Sequence, residues 1–85
     1  MKIFITTPAQ KQLKKFPPDI KKKTHKQFQF LQTDVHHPSL RFKKMSGSEI
    51  FEGRIDNHYR FTGKFVEEDF YITFMGTHDE GLGKK

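Results

Sequence analysis

The sequence predicts an α+β fold: an N-terminal strand and a two-helix hairpin packed on a twisted antiparallel sheet, in the order β-α-α-β-β-β. Three observations carry this. Apolar residues recur at helical spacing up to residue 35 and alternate at strand spacing beyond residue 50. Pro17-Pro18 and Ser46-Gly47-Ser48 punctuate the chain between those stretches.

The elements follow in order. Lys2–Thr6 is short and rich in β formers, a first strand. Thr7-Pro8-Ala9-Gln10 is a helix start, with Thr7 as cap, Pro8 in the first turn and Gln10 completing a capping box. Ala9, Leu13 and Phe16 continue at helical spacing, and Pro17-Pro18 ends that helix. A second helix opens near Pro18-Asp19, with the acid favourable at its N-terminus. Ile20, Thr24, Phe28, Leu31 and Val35 form its apolar stripe, and Lys21, Lys22, Lys23 and Lys26 occupy its other faces. His36-His37-Pro38 breaks it.

In the C-terminal half, burial of both apolar faces fixes the register. Ile55 must oppose Tyr59, Gly53 must oppose Phe61, and Phe51 must oppose Gly63, which leaves Asp56-Asn57-His58 as the connection. A two-residue Asp-Asn turn would send one strand's apolar set into solvent. The next strand pairs Phe65 with Phe70 across the loop Val66-Glu67-Glu68-Asp69. It then pairs Gly63 with Ile72 and Phe61 with Phe74, with Phe70, Ile72 and Phe74 on the core face.

On the opposite face this register sets Arg54 directly against Arg60. Like charges opposed in a sheet are destabilising, and arginine forks bind phosphate, so an anion site is expected there. Glu52, one step along, is the alternative neutraliser. His58 lies in the connecting loop, and the last strand returns Gly76-Thr77-His78 to the same corner. Strict alternation would put His78 on the core face, so Gly76 is expected to turn it outward. Histidine titrates near neutrality and suits acid–base work.

Eighty-five residues make one domain, residues 1–85, near the lower limit for a single core. Cysteine is absent, ten phenylalanines supply apolar area, and no apolar run approaches a membrane span. No membrane association is expected, and a cytoplasmic location is the default. The net charge is +6 and unevenly spread. Residues 1–48 carry eleven Lys/Arg against Asp19 and Asp34, a net +9; residues 49–85 carry five against eight acids, a net −3. The basic half attracts nucleic acid or an acidic protein, and a lysine-rich solvated helix face is the plain alternative. His36, His37, His58 and His78 show no helical or close ligand spacing, so neither a metal nor any other cofactor is expected.

Residues 37–80 resemble the RelE/ParE superfamily of type II toxins. The resemblance is carried by His37-Pro38-Ser39-Leu40-Arg41, Lys43-Lys44-Met45-x-Gly47, Ile50-Phe51-Glu52-x-Arg54-Ile55, Tyr59-Arg60-Phe61 and Gly76-Thr77-His78-Asp79. The final Gly-Thr-His is similar to that of YafQ-type members. The resemblance implies a ribosome-dependent mRNA endonuclease neutralised by an antitoxin protein, with ribosome and mRNA as its other partners. It implies a catalytic His78, with Arg54 and Arg60 holding the scissile phosphate. Asp79 as orienter of His78 and His58 as second proton carrier complete the candidate catalytic set. It also implies RNA contacts from Arg41, Lys43 and Lys44, to which Lys64, on Arg60's face, is added. The chain departs from the pattern at Phe51, where Trp is frequent, and in its ending, which lacks an aromatic counterpart to the terminal Tyr of some members. Two other readings remain open: a ParE-like inhibitor of DNA gyrase, and a basic module that binds without chemistry.

Overall fold

A computed structural model of the protein describes residues 1–77. The chain runs β1 (Ile3–Ile5), α1 (Thr7–Lys14), α2 (Pro18–Thr33), a 3-10 turn (Pro38–Leu40), β2 (Lys43–Lys44), β3 (Phe51–Arg54), β4 (Tyr59–Val66) and β5 (Asp69–Thr77). The five strands form one sheet in the order β1-β5-β4-β3-β2. Strands β3 to β5 are antiparallel as expected, and the short β2, a strand that the expected order lacks, adds antiparallel to β3. Strand β1 joins β5 in parallel, so the whole sheet is mixed. Alternation reveals which residues share a face and carries no information about strand direction. No helix among the described residues is long and apolar enough to cross a membrane.

The start of α1 is held differently from the sequence expectation. Thr6, not Thr7, is the N-cap residue, and its hydroxyl donates to the Ile72 carbonyl at 2.9 Å instead of capping the helix. Gln10 donates through its side chain to the Ile5 carbonyl at 2.8 Å, so no capping box forms. The pairing of β1 with β5 brings the Ile72 carbonyl to Thr6, whereas Ile5 is a local partner of Gln10. Helix α2 starts at Pro18 with Asp19 in its first turn, as the sequence indicates, and buries Ile20, Thr24, Gln27, Phe28 and Leu31. Val35 lies beyond the helix end and only packs on the edge of the core.

The core forms between the helices and one sheet face. Phe61, Phe70, Ile72, Leu31, Leu40 and Met75 are essentially inaccessible. Phe28 meets Phe61 edge-on, with centroids 5.2 Å apart, a favoured aromatic geometry. Phe4 and Phe65 are left partly exposed.

The β3–β4 register is the expected one: Phe51 opposes Gly63, Gly53 opposes Phe61, and Arg54 opposes Arg60. The Ile55 amide donates to the Tyr59 carbonyl at 2.9 Å, closing the three-residue connection. The β4–β5 pair departs from expectation in two places. Val66 also pairs with Asp69, so the loop is the two-residue turn Glu67-Glu68, with Glu67 at φ 58°. Gly63 opposes Ile72 as expected, but Thr62 opposes Phe74 and Phe61 opposes Met75. Thr73 is therefore the extra residue of a β-bulge. The bulge replaces Phe74 by Met75 in the core, and it makes Gly76 the partner of Arg60.

Gly63 sits beside this bulge, where a Cβ would collide with the Tyr71 carbonyl and crowd the Phe70 ring. Neither the backbone nor that buried ring can give way. Gly63→Ala is therefore expected to cost about 1–3 kcal/mol, read as a fall in melting temperature of roughly 4–8 °C per kcal/mol. An unchanged melt would show that the strands slide apart without cost.

Candidate active site

The β3–β4 hairpin tip is built by Asp56. Its Oδ1 accepts the backbone N–H groups of His58 and Tyr59, each at 2.9 Å. Lys23 of α2 reaches its Oδ2 at 3.5 Å. Burial pushes the Asp56 carboxyl up, but the two N–H groups and the Lys23 ammonium outweigh that and hold it below the usual carboxylate range. The ionised Asp56 thus holds the tip through these contacts at neutral pH, and the tip fixes where the two opposed arginines begin and end their strands.

The two arginines are not equivalent. Arg60 is anchored: Nη1 donates to the carbonyls of Asp56 at 2.7 Å and Tyr59 at 3.0 Å, and Nε lies 3.8 Å from Glu52 Oε2. The Glu52 alternative read from the sequence therefore holds for Arg60. Arg54 is different, because its Nε is buried with no hydrogen-bond partner among the described residues. Desolvation, then the charges of Arg41 and Arg60, push its guanidinium below its ordinary value, against the opposing pull of Asp56. A buried donor without a partner is costly, and an anion beside it would remove both the desolvation and the repulsion penalties.

Arg41, Lys43, Glu52, Gly53, Arg54 and Arg60 line a cleft of about 220 Å³. Among the described residues it gathers four cations around one carboxylate. Arg41 enters from the end of the 3-10 turn in the left-handed conformation, φ 46°. Lys43 sits opposite Glu52.

The other sequence-derived candidates are distributed differently. Lys44 is opposite Phe51 and borders a separate dent by the turn at residues 45–49. Lys64 is exposed, two strand positions beyond Thr62, and does not line the cleft. His58 is exposed in the tip loop and is held through its backbone. His37 stacks on Phe30 at 3.7 Å and accepts the Ser39 amide, a packing role. His78 and Asp79 lie outside the described residues; Gly76, two residues before His78, is the cross-strand partner of Arg60. No three His, Cys, Asp or Glu side chains gather to hold a metal ion among the described residues.

Sequence reasoning missed Gln27. It is 7% exposed on the core side of α2. Its side-chain amide donates to the Arg54 carbonyl at 2.9 Å and the Ser39 carbonyl at 3.2 Å, and its Oε1 accepts from the Ser39 hydroxyl at 3.2 Å. One side chain therefore ties α2, the 3-10 turn that delivers Arg41, and the end of β3 that delivers Arg54. The available signal was its spacing: Gln27 follows Thr24 by three and precedes Leu31 by four, a polar residue inside the buried stripe. Gln27→Leu keeps the bulk and strands the two carbonyls. It is expected to cost about 1–3 kcal/mol and to weaken anion binding at Arg54. A variant with wild-type melting and binding would remove Gln27 from this role.

No protein-family model matches the chain, and no curated protein does. Solved structures do. A YoeB/ParE toxin from Agrobacterium tumefaciens superposes with a TM-score of 0.77 at 12% identity, over 92% of this chain and 99% of that one. An archaeal RelE, solved as a RelE–RelB complex from Pyrococcus horikoshii, gives 0.76 at 14% identity, over 94% and 97%. YafQ from E. coli, solved as a DinJ–YafQ complex, gives 0.75 at 12% identity, over 96% and 98%. The chain shares the fold of these toxin structures.

Proposed function

We propose that this chain is the toxin of a type II toxin–antitoxin pair and acts as a ribosome-dependent mRNA endonuclease in the cytoplasm. The observation that carries the reading is the Arg54–Arg60 cleft, where Arg54 Nε is buried among like charges with no partner among the described residues. Two of the similar structures, YafQ and RelE, were solved with a second protein, DinJ or RelB, which supports an antitoxin partner here.

The chemistry is transesterification within RNA. The 2′-oxygen loses its proton and attacks the adjacent phosphorus, and the P–O5′ bond breaks as that oxygen gains a proton. No metal is needed. Negative charge grows on the phosphoryl oxygens in the transition state, where preorganised guanidinium donors stabilise it. Arg54 is assigned that role, and Arg60, held by Glu52 and the tip carbonyls, fixes the orientation. His78 carries one of the two protons, Asp79 orients it, and His58 is the candidate for the other. Arg41 and Lys43 hold the strand at the cleft, and Lys44 and Lys64 extend the basic surface beyond it.

The test is inducible expression without a partner, with pulse labelling of protein and DNA synthesis. The nuclease reading expects protein synthesis to stop first. If DNA synthesis stops first and translation continues, the gyrase-inhibitor reading takes its place; if neither stops, the chain is a binding module.

A further inference from the structure

A second cleft, of about 470 Å³, lies on the helix side of the arginines. Lys23 and Lys26 of α2 form one wall, and Arg41 and Arg54 form the other; both arginines also line the first cleft. Gln27 makes the floor and is bonded to the carbonyls of Ser39 and Arg54, so the walls are fixed to one another. Among the described residues Asp56 is the one acid on the rim, and Lys23 is paired with it, which leaves Lys26, Arg41 and Arg54 in excess. Arg41 holds a left-handed backbone that non-glycine residues rarely adopt, and such conformations persist at functional sites.

We infer that this second cleft binds the phosphodiester adjacent to the scissile one in the same RNA strand, with Lys26 as its outer contact. The inference rests on the nuclease reading of the first cleft. The shared wall carries it: a strand whose scissile phosphate lies on one side of Arg41 and Arg54 meets the same two guanidinium groups with its next phosphate on the other. Lys26 thus becomes a positioning residue that sets how the strand crosses the arginines.

The test uses the full-length chain and fluorescent 2′-O-methyl RNAs, which cannot be cleaved, read by anisotropy at low salt. A trinucleotide, with two phosphodiesters, should bind wild type about five-fold or more tightly than a dinucleotide with one, the size of a single modest ion contact. Lys26→Gln should erase that increment, and replacing one linkage of the trinucleotide by a neutral methylphosphonate should erase it in wild type but change Lys26→Gln no further. Lys22→Gln removes the same charge from α2 outside the cleft and should keep the increment. Equal affinities for the two RNAs, no binding of either, or equal losses in the Lys26 and Lys22 variants would overturn the inference. So would a Lys26→Gln protein that loses ribosome binding yet keeps the increment, because the cleft would then serve ribosomal RNA. The readout does not depend on cleavage: the increment in a chain that cuts no RNA would sink the nuclease reading alone, and cleavage without the increment would sink this inference alone.

Discussion

Arg54→Ala is expected to lower RNA cleavage by about 10²–10³-fold, the loss typical of one preorganised donor to a developing oxyanion, while the melting temperature stays level or rises slightly. The two halves of that expectation come from one observation. Arg54 has a buried Nε with no partner among the described residues and stands against the charges of Arg41 and Arg60. Removing it relieves repulsion in the free protein and removes charge stabilisation from the reaction. Arg60→Ala should separate from it. That arginine donates to two carbonyls of the hairpin tip and pairs with Glu52 in a sheltered position. Its loss should lower cleavage and also cost about 1–3 kcal/mol of stability. Melting curves and cleavage rates on the two variants decide the matter. If Arg54→Ala melts well below wild type, that residue is a structural strut and the anion site loses its main support.

His78→Ala is expected to reduce cleavage by about 10²–10⁴-fold, the usual contribution of a positioned acid or base, and to abolish growth arrest on expression. The assignment comes from the Gly76-Thr77-His78 motif and from the pairing of Gly76 with Arg60. His58→Ala is the informative companion. His58 is exposed in the tip loop and contributes its backbone N–H to Asp56, an interaction that alanine keeps. Full activity in His58→Ala with loss in His78→Ala would assign the proton transfer to His78 and remove His58 from the mechanism. Undiminished toxicity of His78→Ala would remove His78.

The sequence made the hairpin legible because each strand there has one apolar and one polar face. With alternate faces, a one-residue slip moves every side chain to the wrong side, so Phe51, Ile55, Tyr59 and Phe61 suffice to set Arg54 against Arg60. The β4–β5 pair was half legible for the opposite reason. Thr73 is an extra residue that no alternation rule flags, and it moves Met75 into the core place expected for Phe74. The same bulge brings Gly76 opposite Arg60, while the outward turn expected of His78 lies outside the described residues. The parallel direction of β1 and the duties of Thr6 and Gln10 depend on carbonyls of β1 and β5, which are set by tertiary assembly.

Within the site, charge was legible and pairing only in part: Glu52 was read as the alternative neutraliser, and it pairs with Arg60. Arg41, Lys43, Arg54 and Arg60 do share one cleft. Which arginine Glu52 takes, and that Arg54 Nε finds no partner among the described residues, depends on side-chain paths that a register argument does not reach. Gln27 was passed over because it was read against the apolar stripe of α2, when its side chain is the bond between that helix and the arginine strand.

The central claim is that the Arg54–Arg60 corner cuts RNA. The most direct measurement is to map mRNA 5′ ends across a cell within minutes of induction, for wild type and for the Arg54→Ala and His78→Ala variants expressed at equal levels. The account predicts discrete new ends inside translated regions with wild type and their disappearance with both variants. Growth arrest by wild type without new ends, or the same ends from either variant, would contradict it.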